Sequence, residues 1–144
     1  LPQTDRRYIA YGSNMCRAQM AQRCPAATLL GVAALPGRRF VINHEGFATL
    51  VPAHTTQAYG LVWTLTEADE RSLDIYEGVA ENAYRKESVI LAAHGEALIY
   101  IAADATPGKP RAAYLDIILA AALAASLPLA YQAELADWRP FTAR

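Results

Sequence analysis

The sequence has 144 residues, the usual size of one domain, with 53% hydrophobic and 19% charged residues. That balance supports one packed core and argues against a disordered chain. The formal net charge is −1 with both signs spread along the sequence, which argues against a nucleic-acid binder and against a polybasic membrane anchor.

The opening segment, residues 1–7, has no apolar run behind its charges, so no signal peptide is expected there. Residues 7–11 read as a short strand, which Gly12-Ser13-Asn14 turns. Ser13 or Asn14 can cap a helix over 15–23, stopped by Pro25. Cys16 and Cys24 lie eight apart along that helix, too far to bridge, and read as free thiols suited to a reducing, cytoplasmic setting. Strands follow over 28–34 and 38–43, separated by the turn signal Pro36-Gly37. Another strand over 47–51 is ended by Pro52, and a stronger one spans 57–65.

Thr66-Glu67-Ala68-Asp69 has the form of a capping box, which opens a helix over 67–76 that Gly78 stops. Residues 84–91 and 96–102 pair as two more strands, and 106–110 is a loop. A long Ala-rich helix over 112–126 and a short one over 129–138 complete the chain. Asp116 and Pro128 interrupt the most apolar stretch, so it reads as a packed helix and not a membrane span. The fold class is α+β over a single domain, 1–144, with the strands curled into a small mixed β-barrel and flanking helices. The Ala-rich helix face would serve a homodimer or the monomer core equally well.

Two segments carry possible chemistry. Tyr11-Gly12-Ser13-Asn14-Met15 places free N–H groups where a strand opens a helix, suited to a carboxylate, although an ordinary capped turn explains it too. It is neither a phosphate-binding loop nor a nucleophile elbow, since the required Gly, Lys and Ser spacings are missing. Glu77 falls at the C-terminal end of a helix, against the negative end of the dipole, which pushes its carboxyl upward in pKa. An apolar setting would push the same way and suit general acid/base work, whereas a solvated helix-end acid is the bland alternative. His44, His54 and His94 are scattered and give no metal signature. Ser13 lacks a spaced His or Asp to make it a nucleophile, and Cys16 reads as a buried helix thiol. Tyr76 and Tyr84 flank Glu77 and could line a pocket or pack in the core, and Asp74 sits one turn before it.

Taken together, these segments resemble the γ-glutamylcyclotransferase family. The family's Tyr-Gly-Ser-Asn loop is matched by Tyr11 to Asn14, and its Glu-Gly-Val after a helix ending Leu-Asp by Leu73-Asp74 and Glu77-Gly78-Val79. Gly46-Phe47-Ala48-Thr49-Leu50, Gly60-Leu61-Val62-Trp63 and Leu127-Pro128-Leu129-Ala130-Tyr131-Gln132 resemble further family stretches in the same order. The resemblance implies a small mixed barrel with a pocket at one mouth. It implies that Tyr11, Gly12, Ser13, Asn14 and Met15 hold a γ-glutamyl group, that Glu77 is the acid/base, and that Tyr114 lines the substrate site. The implied reaction is intramolecular attack of the substrate's α-amine on its γ-carbonyl, giving 5-oxoproline and a free amine or amino acid, with no cofactor or metal. A non-catalytic carboxylate-binding module and a hydrolase of γ-glutamyl amides remain the alternatives.

Overall fold

Five strands form one mixed sheet in the computed structural model, which describes residues 5–140. Residues 1–4 of the opening segment and 141–144 at the other end lie outside the described residues. The strands are β1 (Arg6–Ala10), β2 (Thr28–Ile42), β3 (Ala48–Leu65), β4 (Tyr84–Leu91) and β5 (Gly95–Ala102), in the order β2-β3-β1-β5-β4. β1 is central because it is apolar on both faces: Tyr8, Ile9 and Ala10 are all buried. Its Tyr8 lies opposite Trp63 of antiparallel β3 and Leu98 of parallel β5. The helices are α1 (Arg17–Arg23), α2 (Glu67–Tyr76), α3 (Tyr114–Ala124) and α4 (Leu129–Ala136).

The α+β class holds, but the sheet is open and not a barrel. β2 and β4 are its two edges, and among the described residues no ladder joins them. The curl brings Arg38 of β2 within 3.9 Å of Glu87 on β4 without closing the sheet.

Two strand boundaries also differ from the sequence reading. Pro36-Gly37 is not a turn: β2 runs on through it, with a register shift between Pro36 and Arg38 and Gly37 at φ 72°. Both halves of β2 pair with the same partner, so the glycine makes a bulge. Likewise Pro52 does not end a strand, since β3 continues for 18 residues from Ala48. β1 accompanies β3 only over Leu61–Leu65, so Pro52 sits where β3 has one ladder partner, β2, and a missing N–H is tolerated. The real turn of this long hairpin is at residues 43–47, where the N–H of Asn43 bonds the carbonyl of Phe47 at 2.8 Å.

The helix expected over 15–23 is broken. Ser13–Met15 forms a 3₁₀ turn, Cys16 is extended (φ −73°, ψ 116°), and α1 starts at Arg17 with no side-chain cap from Ser13 or Asn14. Those two side chains are engaged elsewhere, as described below. Cys16 is therefore a partly exposed residue preceding the helix, and both cysteines are free thiols.

α2 matches its expected span. The capping box is complete, with Thr66 accepting from the Asp69 N–H at 3.1 Å and Asp69 accepting from the Thr66 N–H at 3.2 Å. Its stop is Gly78, left-handed at φ 61°. The apolar stretch near the C-terminus folds as α3, which buries Leu115, Ile118, Ala121 and Ala122, and α4, which buries Tyr131 and Leu135. Among the described residues, no helix is long and apolar enough to cross a membrane.

One glycine fixes how the strand before the loop is seated. A Cβ at Gly60 would stand 2.4 Å from the Ala10 carbonyl oxygen and 2.9 Å from Ile9 Cγ1. The obstruction is mostly backbone, so it cannot rotate away. Gly60→Ala is expected to destabilise the fold by about 2 kcal/mol or more, read as a lower urea midpoint with an unchanged m-value.

Candidate active site

β1 delivers the chain directly into the loop. After Ala10 come Tyr11 and Gly12, then the 3₁₀ turn. The Met15 N–H returns to the Gly12 carbonyl and the Cys16 N–H to the Ser13 carbonyl, each at 3.0 Å. The N–H groups of Ser13 and Asn14 are the ones this turn leaves without an acceptor inside it. Tyr11 is buried, and its hydroxyl donates to the Tyr100 carbonyl at 2.5 Å. Gly12 is tightly placed, since a Cβ there would touch both Ala48 Cβ and the Tyr114 hydroxyl at 3.4 Å.

Asn14 is buried and uses both ends of its amide. Its Nδ2 donates to the Tyr8 hydroxyl at 3.1 Å. Its Oδ1 accepts from Gln19 at 3.1 Å and from Arg23 Nη1 at 2.9 Å. Gln19 also donates to Ser13 Oγ at 2.7 Å. Gln19 and Arg23 are four apart on α1, so they share the face turned toward the loop. These bonds explain why neither Ser13 nor Asn14 caps a helix.

Glu77 occupies the C-cap of α2, with its N–H bonded to the Leu73 carbonyl at 2.8 Å. The left-handed Gly78 then turns the chain away. Burial pushes the Glu77 carboxyl up to about 7 from its usual 4.5, and the charge of Arg23 acts in the opposite direction. The helix that presents it is clamped to the sheet by charge. Glu70 pairs with Arg6 at 2.8 Å and with Lys86 of β4. Lys86 also reaches Asp74 at 3.1 Å, and Asp74 accepts from the Tyr100 hydroxyl at 2.7 Å. Asp74 is thus neither a cap nor a carboxylate partner for Glu77.

The loop and Glu77 face one cavity of about 340 Å³. Tyr8, Tyr11, Gly12, Ser13, Asn14 and Glu77 line it. Lining it as well are Tyr76, Tyr84, Phe47 and Tyr114, so both tyrosines flanking Glu77 reach the cavity. Met15 does not: it is buried and its N–H is spent within the turn. Tyr84 donates to the Ala48 carbonyl at 2.6 Å. Tyr114, the first residue of α3, accepts from the Ala48 N–H at 3.1 Å and packs edge-on against Phe47. Because it accepts there, the phenol proton of Tyr114 can go to the neighbouring Ser13 side chain or to an oxygen in the cavity. Burial pushes that phenol up to about 12, with the charge of Glu77 adding to the rise, so it stays a donor at neutral pH. Tyr8 is raised by burial and then by the charge of Glu77.

Sequence reasoning did not single out Arg23, Gln19 or Tyr8. The spacing of Gln19 and Arg23 could have pointed to a face directed at the loop, but only the fold shows what that face meets. The histidines stand apart from the cavity: His44 and His54 are exposed, and His94 lies in the β4–β5 turn.

Comparison with known proteins gives a consistent result. Residues 57–135 match the model of the AIG2-like family. The chain is 29% identical to human gamma-glutamylcyclotransferase over 147 aligned positions, covering 92% of this chain and 78% of that protein. The mouse protein of the same name is 27% identical with the same coverage. Among solved structures, a gamma-glutamyl cyclotransferase superposes with a TM-score of 0.86 at 27% identity, covering 98% of this chain and 93% of its own. YkqA from Bacillus subtilis shares the fold, with a TM-score of 0.80 at 19% identity over 94% of this chain and 54% of its own.

The raised Glu77 has a cost for stability. Its folded-state pKa of about 7 lies above the usual 4.5, so between those values the folded state binds more protons than the unfolded state. Stability attributable to this group is therefore highest below about pH 4.5 and falls as pH rises to about 7. Glu77→Gln is expected to be more stable than the parent by on the order of 3 kcal/mol at pH 8. The difference should shrink toward zero in denaturation curves taken at pH 4.5.

Proposed function

The chain belongs to the AIG2-like family, and from that membership and the geometry of the cavity we propose that it is a γ-glutamyl cyclotransferase. The observation that carries this reading is a carboxyl tuned to about 7, Glu77, sharing one cavity with the Tyr11–Asn14 loop. The similarity to gamma-glutamylcyclotransferases over nearly the whole chain supports it.

The chemistry follows from the substrate's own connectivity. A γ-glutamyl compound carries an α-amine that closes a five-membered ring on its γ-carbonyl carbon. At neutral pH that amine is mostly protonated, with a pKa of about 8. Glu77 takes one proton, and the freed amine attacks the carbonyl carbon, forming the new C–N bond. The carbonyl oxygen gains negative charge in the tetrahedral intermediate. Tyr114 is the side chain we assign to that oxygen, because its hydroxyl accepts from the backbone and keeps its own proton to donate. Glu77 then returns its proton to the departing nitrogen, the old amide bond breaks, and the second proton shed by the ring nitrogen leaves on the released amine as its ammonium, so that 5-oxoproline and a free amine or amino acid are formed. Holding the folded substrate conformer supplies several kcal/mol of the barrier, on the order of what near-attack geometry provides. No redox or group-carrying cofactor enters this balance. The N–H groups of the loop and the Ser13 hydroxyl are assigned to the glutamyl group. The two free thiols fit a reducing compartment, and we assign the enzyme to the cytoplasm, with γ-glutamyl dipeptides of glutathione metabolism as the first substrates to try.

Incubation with γ-glutamyl dipeptides and γ-glutamyl amines is expected to yield 5-oxoproline, detected by mass. Glutamate in its place would identify a hydrolase, and binding without any product would identify a binding module. Glu77→Gln should lower kcat by roughly 10²–10⁴-fold. With Glu77 as base, kcat/KM should rise with pH through about 7, and the variant should lack that limb. Tyr114→Phe should lower kcat by about 10²-fold with little change in KM, the pattern of a donor used in the transition state.

A further inference from the structure

We infer that Arg23 holds the α-carboxylate of the glutamyl group and makes that free carboxylate a requirement for turnover. This rests on the cyclotransferase reading and adds to it a residue that selects the substrate.

Arg23 is the one cation among the described residues that line the cavity. The other charged groups of that lining are the carboxyls of Glu45, Glu77 and Asp104. Among the described residues Arg23 has no carboxylate within ion-pair distance; Arg7, Arg17, Arg39, Lys109 and Arg111 share that state, but none of them lines the cavity. A partly buried guanidinium that faces a cavity and forms no direct ion pair is suited by its chemistry to a carboxylate.

The side chain is also held in place. One Nη1 hydrogen bond goes to Asn14 of the loop, and the guanidinium carbon lies 4.3 Å from the centre of the Tyr76 ring. The hydrogen bond to Asn14 occupies one of five N–H donors and leaves the others for a planar anion. Because the group is stacked and anchored, binding costs it less side-chain entropy than a free arginine.

Position decides which carboxylate it meets. The α-amine must reach Glu77, and the α-carboxylate hangs from the same carbon as that amine. Tyr76, on which Arg23 stacks, is the residue next to Glu77. Both Arg23 and Glu77 line the same cavity, and the charge of Arg23 acts on the Glu77 carboxyl. An amine at Glu77 thereby brings its neighbouring carboxylate to Arg23. A carboxylate on the leaving group is separated from that carbon by the whole γ-glutamyl chain, and Glu45 and Asp104 elsewhere in the lining would repel it.

The test compares the parent, Arg23→Gln and Arg23→Lys on three substrates: a γ-glutamyl dipeptide, a γ-glutamyl amine, and the same dipeptide with its α-carboxylate converted to a carboxamide. In the parent the carboxamide should lose about 10- to 100-fold in kcat/KM, mostly through KM. Arg23→Gln should lose a similar factor on both carboxylate substrates and little on the carboxamide, so that the preference collapses. Arg23→Lys should recover part of it. Equal loss on all three substrates would mean a structural role and overturns the inference, as would no loss on any. Loss on the dipeptide alone, with the γ-glutamyl amine unaffected, would assign Arg23 to the leaving group's carboxylate and also overturns it. Calorimetric titration with glutarate reads the same contact without turnover. If the parent forms no 5-oxoproline, the cyclotransferase reading fails, while weaker glutarate binding by Arg23→Gln would still support the carboxylate site and unchanged binding would overturn it.

Discussion

The site depends on one buried amide. Asn14 is buried, so the polar atoms of its side chain need partners inside the protein, and both find them. Through Nδ2 it fixes the Tyr8 hydroxyl on β1, and through Oδ1 it fixes Gln19 and Arg23 on α1. Strand, loop and helix therefore meet at a single side chain. Leaving any of these bonds unmade would strand a buried donor or acceptor at about 1–3 kcal/mol. The loop is held in place for that reason, and Ser13 and Asn14 line the cavity instead of capping a helix.

The opposite wall is held differently. α2 is short and carries Glu77 at its very end, where helices ordinarily fray. Two features oppose fraying. The capping box fixes the first turn, and the Glu70–Lys86–Asp74–Tyr100 chain of ion pairs and hydrogen bonds fixes the last two turns to β4 and β5. Tyr100 also receives the Tyr11 hydroxyl at its carbonyl, so the strand that anchors α2 also anchors the start of the loop. The two walls of the cavity share β5 as a common support.

This division explains what the sequence could and could not reveal. α2 was legible to the residue, because capping box, periodicity and terminal glycine are local signals that all agree. The β4–β5 pair was legible for the same reason. Pro36-Gly37 and Pro52 misled because a proline or glycine has one meaning in an isolated strand and another beside a partner. The long β2–β3 hairpin supplies that partner from residues up to 36 positions away, as Thr28 opposite Thr64 shows. The helix start failed likewise: Ser13 and Asn14 have the chemistry of caps, but Gln19 and Arg23 claimed them. Glu77 and the loop could be named from motif, yet their meeting in one cavity, and the unpaired Arg23 beside them, exist only in three dimensions.

The energetics of Glu77 tie stability to chemistry. An ordinary glutamate at 4.5 would take a proton from an ammonium of pKa about 8 only at a cost of roughly 4.8 kcal/mol. At about 7 the same transfer costs roughly 1.4 kcal/mol. Burial thus removes on the order of 3 kcal/mol from the first step of the proposed reaction, and by linkage the ionised folded protein loses a comparable amount of stability above neutral pH. Arg23 limits that loss, because its positive charge draws the carboxyl back down. A substrate carboxylate at Arg23 would neutralise the restraint at the moment the base is needed, while the incoming ammonium opposes the change. The free enzyme therefore keeps a moderately stable carboxylate. The bound one faces an amine whose proton it can accept at small cost and return to the leaving nitrogen.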